Sequence, residues 1–167
     1  GIDEALWHAL HGDFYTDLIR RLHEQTSKRG QRLIPCAVYD GLWGWGGPGQ
    51  QLANHYFTGT DKPTKAPAFG LQYQWQRWAR EGIADALLMV DSIPDAEAAK
   101  QQSGLPVILW RQAGPAMADP LWDKCHADAK DTTTSTLDGF AAHAMFLVDY
   151  DSYLDKLWAL MRSATAS

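Results

Sequence analysis

The sequence predicts an α/β fold of parallel (β/α) units, and three observations lead to it. Predominantly apolar runs at Leu33–Tyr39, Ala86–Val90 and Leu105–Trp110 fit strands covered on both faces. Segments with apolar residues at helical spacing lie between these runs. The order is one helix followed by about four strand–helix repeats, which argues for a parallel sheet with right-handed crossovers.

Each element has its own warrant. Phe14, Leu18, Ile19 and Leu22 share a helical face, with Asp13 as a candidate cap and Gly30 as a stop. Leu33–Tyr39 follows as a strand, in which Pro35 prefers the strand start or an edge. From about Asp40 to Phe69 the chain is rich in Gly, Pro and aromatic residues and holds no period. A connection that long is uncommon unless it serves function or is mobile.

The next unit is the most regular. Trp75, Trp78 and Ala79 line one face of a helix over about Leu71–Glu81, Gly82 can close it in the left-handed conformation, and a strand over about Ala84–Val90 ends on Asp91. A short helix spans Pro94–Ser103, with Pro94 in its first turn and Gly104 at its stop. Leu105–Trp110 reads as a third strand and Arg111–Ala118 as a loop. Asp119 caps a helix that runs to about Ala129, and Thr132–Thr136 is a polar connector. Gly139–His143 reads as a fourth strand, and Tyr153, Leu154, Leu157, Trp158 and Met161 as a closing amphipathic helix.

Length and composition limit the function classes. The 167 residues fit one domain. The formal net charge is -5 and Lys and Arg are scattered, which argues against nucleic acid as a partner. No apolar run approaches the roughly 20 residues of a membrane span, so no membrane partner is expected. The two cysteines, Cys36 and Cys125, make no disulfide or metal pattern, and neighbouring Cys125 and His126 do not share a helix face. No metal site is expected. No glycine loop has the spacing that cradles phosphate, so no cofactor is expected either. The 8 tryptophans are many for this length and point to core packing or to a stacking surface for a ring-shaped ligand.

Four strands are too few for a closed eight-stranded barrel, which typically takes about 250 residues. The chain is therefore either a small open sheet or an arc of a larger barrel. Several segments favour the arc. Gly12–Leu22 resembles the helix after the fourth strand of glycosyl hydrolase-like barrel proteins, relatives of the family-10-like glycoside hydrolases. Arg32–Tyr39 looks like their fifth strand, and Trp75–Asp91 looks like their Trp-x-x-Trp-x-x-Glu-Gly helix and sixth strand. Leu137–Phe140 is similar to the entry to their eighth strand. Where such barrels often carry an acid after Gly139, this chain has Ala142-His143-Ala144. The resemblance implies that residues 1–167 form a partial TIM barrel, its second half, completed by an N-terminal half-barrel or by another copy. It further implies carbohydrate as the ligand and a secreted or periplasmic compartment.

Glycoside hydrolysis usually uses two carboxylates on either side of the scissile bond. Asp40 and Asp91 each follow a strand, and the carboxyl ends of parallel strands are where barrel chemistry collects. They are the candidate acids, and the competing reading is that each caps the following loop or helix. His143, at the end of the last strand, is a candidate for proton transfer. Arg111 can pair with an acidic sugar or with Asp91; otherwise it is a structural ion-pair partner. In the loop Asp40–Gly49, Trp43 and Trp45 between glycines offer a stacking platform, unless they fold back on the core. Tyr39 and Trp110, at the ends of their strands, complete the expected binding set. Asp85 and Asp138 precede strands at the opposite end and are expected to serve folding. Trp75, Trp78 and Trp158 are expected in the core. The alternative to a carbohydrate site is a non-catalytic barrel fragment or interaction module that pairs through open sheet edges.

Overall fold

The computed structural model describes residues 3–39, 42–43, 71–90, 92–113 and 119–144, with helical positions at 155–156, 158–159 and 161–162. In chain order the elements are α1 (Glu4–Ser27), β1 (Cys36–Ala37), β2 (Leu42–Trp43), β3 (Leu71–Gln72), α2 (Trp75–Glu81), β4 (Leu87–Met89), α3 (Ile93–Ser103), β5 (Val107–Ala113), α4 (Asp119–Thr134) and β6 (Gly139–Ala144). Strands β1, β4, β5 and β6 form one parallel sheet in that spatial order. The chain is an α/β fold. Strands β2 and β3 make a separate antiparallel pair.

Each strand of the sheet is laid beside its predecessor, always on the same side. With right-handed crossovers, such an order places the connecting helices on a single face. Burial agrees. Ala37, Met89 and Leu109 share one row of the sheet, and all are fully buried. Leu87 and Val107 make a second such row, and both rows pack with Trp75, Trp78, Ala96, Ala99 and Ile19 in one core. The intervening row, Cys36, Leu88, Ile108 and Gly139, faces the other way and is only half-buried. The strand order contains no reversal, so these strands offer no switch-point crevice of the doubly wound kind. The described residues make a four-stranded parallel sheet; barrel closure is not among them.

The strands are aligned from their amino ends. The Asp85 carboxylate accepts from the Leu33 amide at 2.7 Å, and the Asp85 amide donates back to the Leu33 carbonyl at 3.0 Å. Asp138 repeats the arrangement with Val107, at 2.7 and 2.9 Å. The Lys100 ammonium lies 2.8 Å from Asp138. These aspartates serve folding as expected, and Asp85 grips the approach to β1.

Several boundaries differ from the sequence reading, most for a physical reason. Helix α1 starts well before Asp13, because Leu6 and Leu10 extend the helical pattern backwards. Asp3, not Asp13, accepts from a first-turn amide, that of Leu6 at 3.1 Å. Phe14, Leu18 and Leu22 do not face the core: they are exposed, and Ile19 alone of the expected set is buried. Helix α2 starts at Trp75, since Leu71 and Gln72 are taken by the pairing with β2. Strand β1 is shorter than its apolar run, with Pro35 just before it, where its missing N–H costs no ladder bond. Strand β5 continues through Ala113, which moves Arg111 from the expected loop into the sheet. Helix α4 runs on to Thr134, and Thr132, Thr133 and Thr134 turn their hydroxyls onto helix carbonyls three or four residues back. Trp75 and Trp78 are fully buried, but Trp158, also expected in the core, is exposed. Gly82 and Gly104 do close their helices, at φ of 63° and 69°.

Candidate functional site

Tyr39, Trp110, Arg111 and His143 lie toward the carboxyl end of the parallel sheet. Arg111 is the decisive one. Side chains alternate along a strand, so Arg111 shares the helix-covered face with Leu109, and Trp110 takes the other. Arg111 is 6% exposed, a depth at which a guanidinium needs a full set of partners. Its Nε donates to Asp128 Oδ2 on α4 at 2.6 Å. Its Nη1 donates to the Trp110 carbonyl at 2.9 Å and more weakly to the Val90 carbonyl at 3.4 Å. Arg111 therefore joins α4, β5 and the end of β4, the residue directly before Asp91.

Asp128 reaches this position from the inward face of α4, and Thr132 Oγ1 donates to its carbonyl at 2.7 Å. Lys124, one turn earlier, places its ammonium 3.4 Å from Asp128 Oδ2. Two cations thus share the Asp128 carboxylate. Cys125 is buried beside it. Burial pushes its thiol above the ordinary value, and Asp128 adds to the rise against the opposing pull of Arg111 and Lys124. A thiol held protonated in this way is a poor nucleophile.

Tyr39 is anchored from two sides. Its carbonyl accepts from Trp75 Nε1 at 3.1 Å, and its hydroxyl accepts from Gln102 Nε2 at 2.7 Å. Its ring lies 6.0 Å from the Trp75 ring at a tilt of 30°. Trp110 is half-buried on the face opposite Arg111, in register with Ala141. Arg111 and Trp110 are thus neighbours in the chain that address different faces of the sheet. The backbone of His143 on β6 is in register with Gln112 on β5, and Trp43 lies on β2 in register with Leu71. Asp40, Asp91 and Trp45 lie outside the described residues.

Neither a protein-family profile, nor a curated protein, nor a solved structure matches this chain. The residues alone carry the functional argument. At the amino end the acids are spent on register. Partial burial works against ionisation of Asp138, but the Lys100 ammonium and the Val107 amide outweigh it and hold the carboxyl below its ordinary value. A depression along α3, lined by Glu97, Lys100 and Thr136 among others, is also committed. Glu97 accepts from the amide and hydroxyl of Thr136, and Lys100 donates to its carbonyl. Among the described residues no group of three His, Cys, Asp or Glu could hold a metal ion, and no helix is long and apolar enough to cross a membrane.

The sequence reading missed Asp128. One signal was present: Lys124 and Asp128 are four apart on a helix, the spacing of an ion pair. That spacing says nothing of Arg111, which arrives from a strand.

Proposed function

We propose that this protein binds carbohydrate at the carboxyl end of its parallel sheet, with Asp40 and Asp91 as the acid/base pair of a glycoside hydrolase-like site. The observation that carries the reading is the buried Arg111, whose bonds to Asp128 and to the Val90 carbonyl brace the strand end directly before Asp91. An in-order parallel sheet supports it, because its strand ends all open at one edge. In this reading Trp43 and Trp45 are the stacking residues, and Tyr39, Trp110, Arg111 and His143 are the further residues of the site.

The test is a titration with a broad oligosaccharide panel, following tryptophan fluorescence for binding and new reducing ends for hydrolysis. Binding is expected to weaken in Trp45→Ala, and hydrolysis to be lost in Asp91→Asn with binding retained. A panel that moves neither signal would falsify the proposal. The competing reading, an interaction module that pairs through its sheet edges, draws on β6, which among the described residues pairs on one side only, with β5. It predicts association without any glycan response.

A further inference from the structure

We propose that α1 is a releasable strap: a seam of alternating charges latches it to α2, and screening or breaking that seam frees α1 while the parallel sheet stays folded. None of the proposed site residues takes part, so the inference does not depend on the carbohydrate reading.

Little apolar surface holds α1 down. Its inward positions are His8, Gly12, Thr16 and Ile19, and all four are buried. Of these, Ile19 alone brings a large apolar side chain to the core. Tyr15 packs at the margin, its ring centroid 5.3 Å from that of Tyr73 and 5.6 Å from that of Trp78. Gly12 makes the approach close: a Cβ there would fall 2.8 Å from Gln74 Nε2 and 3.0 Å from the Gln72 carbonyl oxygen. Most helices in proteins are stabilised by an apolar face packed on the core. Helix α1 instead turns Leu6, Leu10, Phe14, Leu18 and Leu22 outward, where they add nothing to its docking.

The charged contacts run along one side, with Glu81 as their hub. Arg20 Nη2 meets Glu81 Oε2 at 2.6 Å, and Arg77 Nε meets Glu81 Oε1 at 2.7 Å. Arg20 Nη1 continues to Asp17 Oδ1 at 2.6 Å, and Arg77 Nη1 to Asp13 Oδ1 at 2.7 Å. The order Asp17, Arg20, Glu81, Arg77, Asp13 alternates in sign. It begins and ends on α1 and crosses to α2 in between. Arg21 branches from Asp17 at 3.0 Å, and His23 lies 3.7 Å from Asp85 further along the same side. The Arg77 guanidinium, and after it that of Arg20, hold the Glu81 carboxyl below its ordinary range. An isolated exposed ion pair contributes little, whereas several charges joined in a network contribute more. The five members are between 33% and 60% exposed, so dissolved salt reaches all of them.

Native-state hydrogen exchange of the full chain at constant pH tests this. Away from α2 the helix loses its tertiary support and frays, so its amides exchange. Raising salt from about 0.1 M to about 1 M shortens the screening length from about 10 Å to about 3 Å. The amides from Asp13 to His23 are then expected to exchange at least about fivefold faster, while those of Leu87–Met89 and Val107–Leu109 hold their rates. Glu81→Gln is expected to speed the α1 amides by a similar factor at the lower salt and to abolish their salt response. Arg80→Gln removes a charge from an exposed residue of α2 outside the seam, and is expected to leave α1 exchange unchanged. Exchange of α1 in step with the sheet overturns the proposal, because the helix then opens only with the whole fold. Exchange of α1 indifferent to salt or to Glu81→Gln overturns it as well. Equal effects of Arg80→Gln and Glu81→Gln would trace the change to net charge and overturn the seam.

Discussion

Replacing Thr16 by valine isolates one hydrogen bond at the junction of α1 and α2. Thr16 is fully buried there. Its hydroxyl donates to Gln74 Oε1 at 3.0 Å and accepts from the indole N–H of Trp78 at 2.8 Å. Valine preserves the shape and removes both bonds. Gln74 Oε1 keeps a donor, because Arg77 Nη1 lies 3.0 Å away. Trp78 is 0% exposed, so its indole N–H has no water to turn to. A buried donor left unsatisfied costs about 1–3 kcal/mol. The variant should therefore lose about 2 kcal/mol, and its Tm should fall by about 4–8 °C for a chain of this size. Urea unfolding followed by far-UV circular dichroism measures the loss. A double-mutant cycle separates the bond from packing, since phenylalanine at position 78 has no N–H to strand. On a Trp78→Phe background, Thr16→Val should cost less than about 1 kcal/mol. Equal costs in the two backgrounds would refute the reasoning.

Two further outcomes follow from the ion pairs. Asp128→Ala removes the Asp128 carboxylate from the buried Arg111, so stability should drop by about 3–5 kcal/mol in chemical denaturation; a loss under about 1 kcal/mol would refute the importance of this pair. Asp138 has a folded pKa below its unfolded value, so the stability it contributes is present above the unfolded value near 4 and is lost as pH falls through the folded one. The stability gap between the parent chain and Asp138→Asn should accordingly narrow as the solution is acidified below about pH 4, and parallel pH profiles would contradict the assignment.

The sequence revealed the sheet more readily than the helix surfaces. Leu87, Met89, Val107 and Leu109 lie in apolar runs between glycine-stopped helices, and both run and stop are local signals. Trp75 and Trp78 were legible for the same reason. Helix α1 carried a weaker signal. Periodicity identifies an apolar stripe, but it does not say whether the protein's own core lies against it. Phe14, Leu18 and Leu22 satisfied the pattern and face outward, while Thr16, a polar residue, sits inside because Gln74 and Trp78 meet its hydroxyl. The candidate site was legible in part. Strand-end logic located Tyr39, Arg111 and His143 near one edge, because strand direction follows from helix–strand alternation. It did not foresee that β5 extends through Arg111, since backbone pairing with β6 proceeds whatever the side chain. Nor could it foresee Asp128, whose partner is brought to it by the packing of α4 on the sheet.

The paired aspartates at the amino end have a consequence for how this fold can change. Asp85 and Asp138 each index one strand against its neighbour before the hydrogen-bonded ladder begins. The sheet is thus zeroed like a ruler, from one edge. Connections that leave the other edge are not needed for these two alignments, so they can lengthen, shorten or be exchanged without sliding β1 against β4 or β5 against β6. Novelty is cheap at one rim of this sheet because register is guarded at the other.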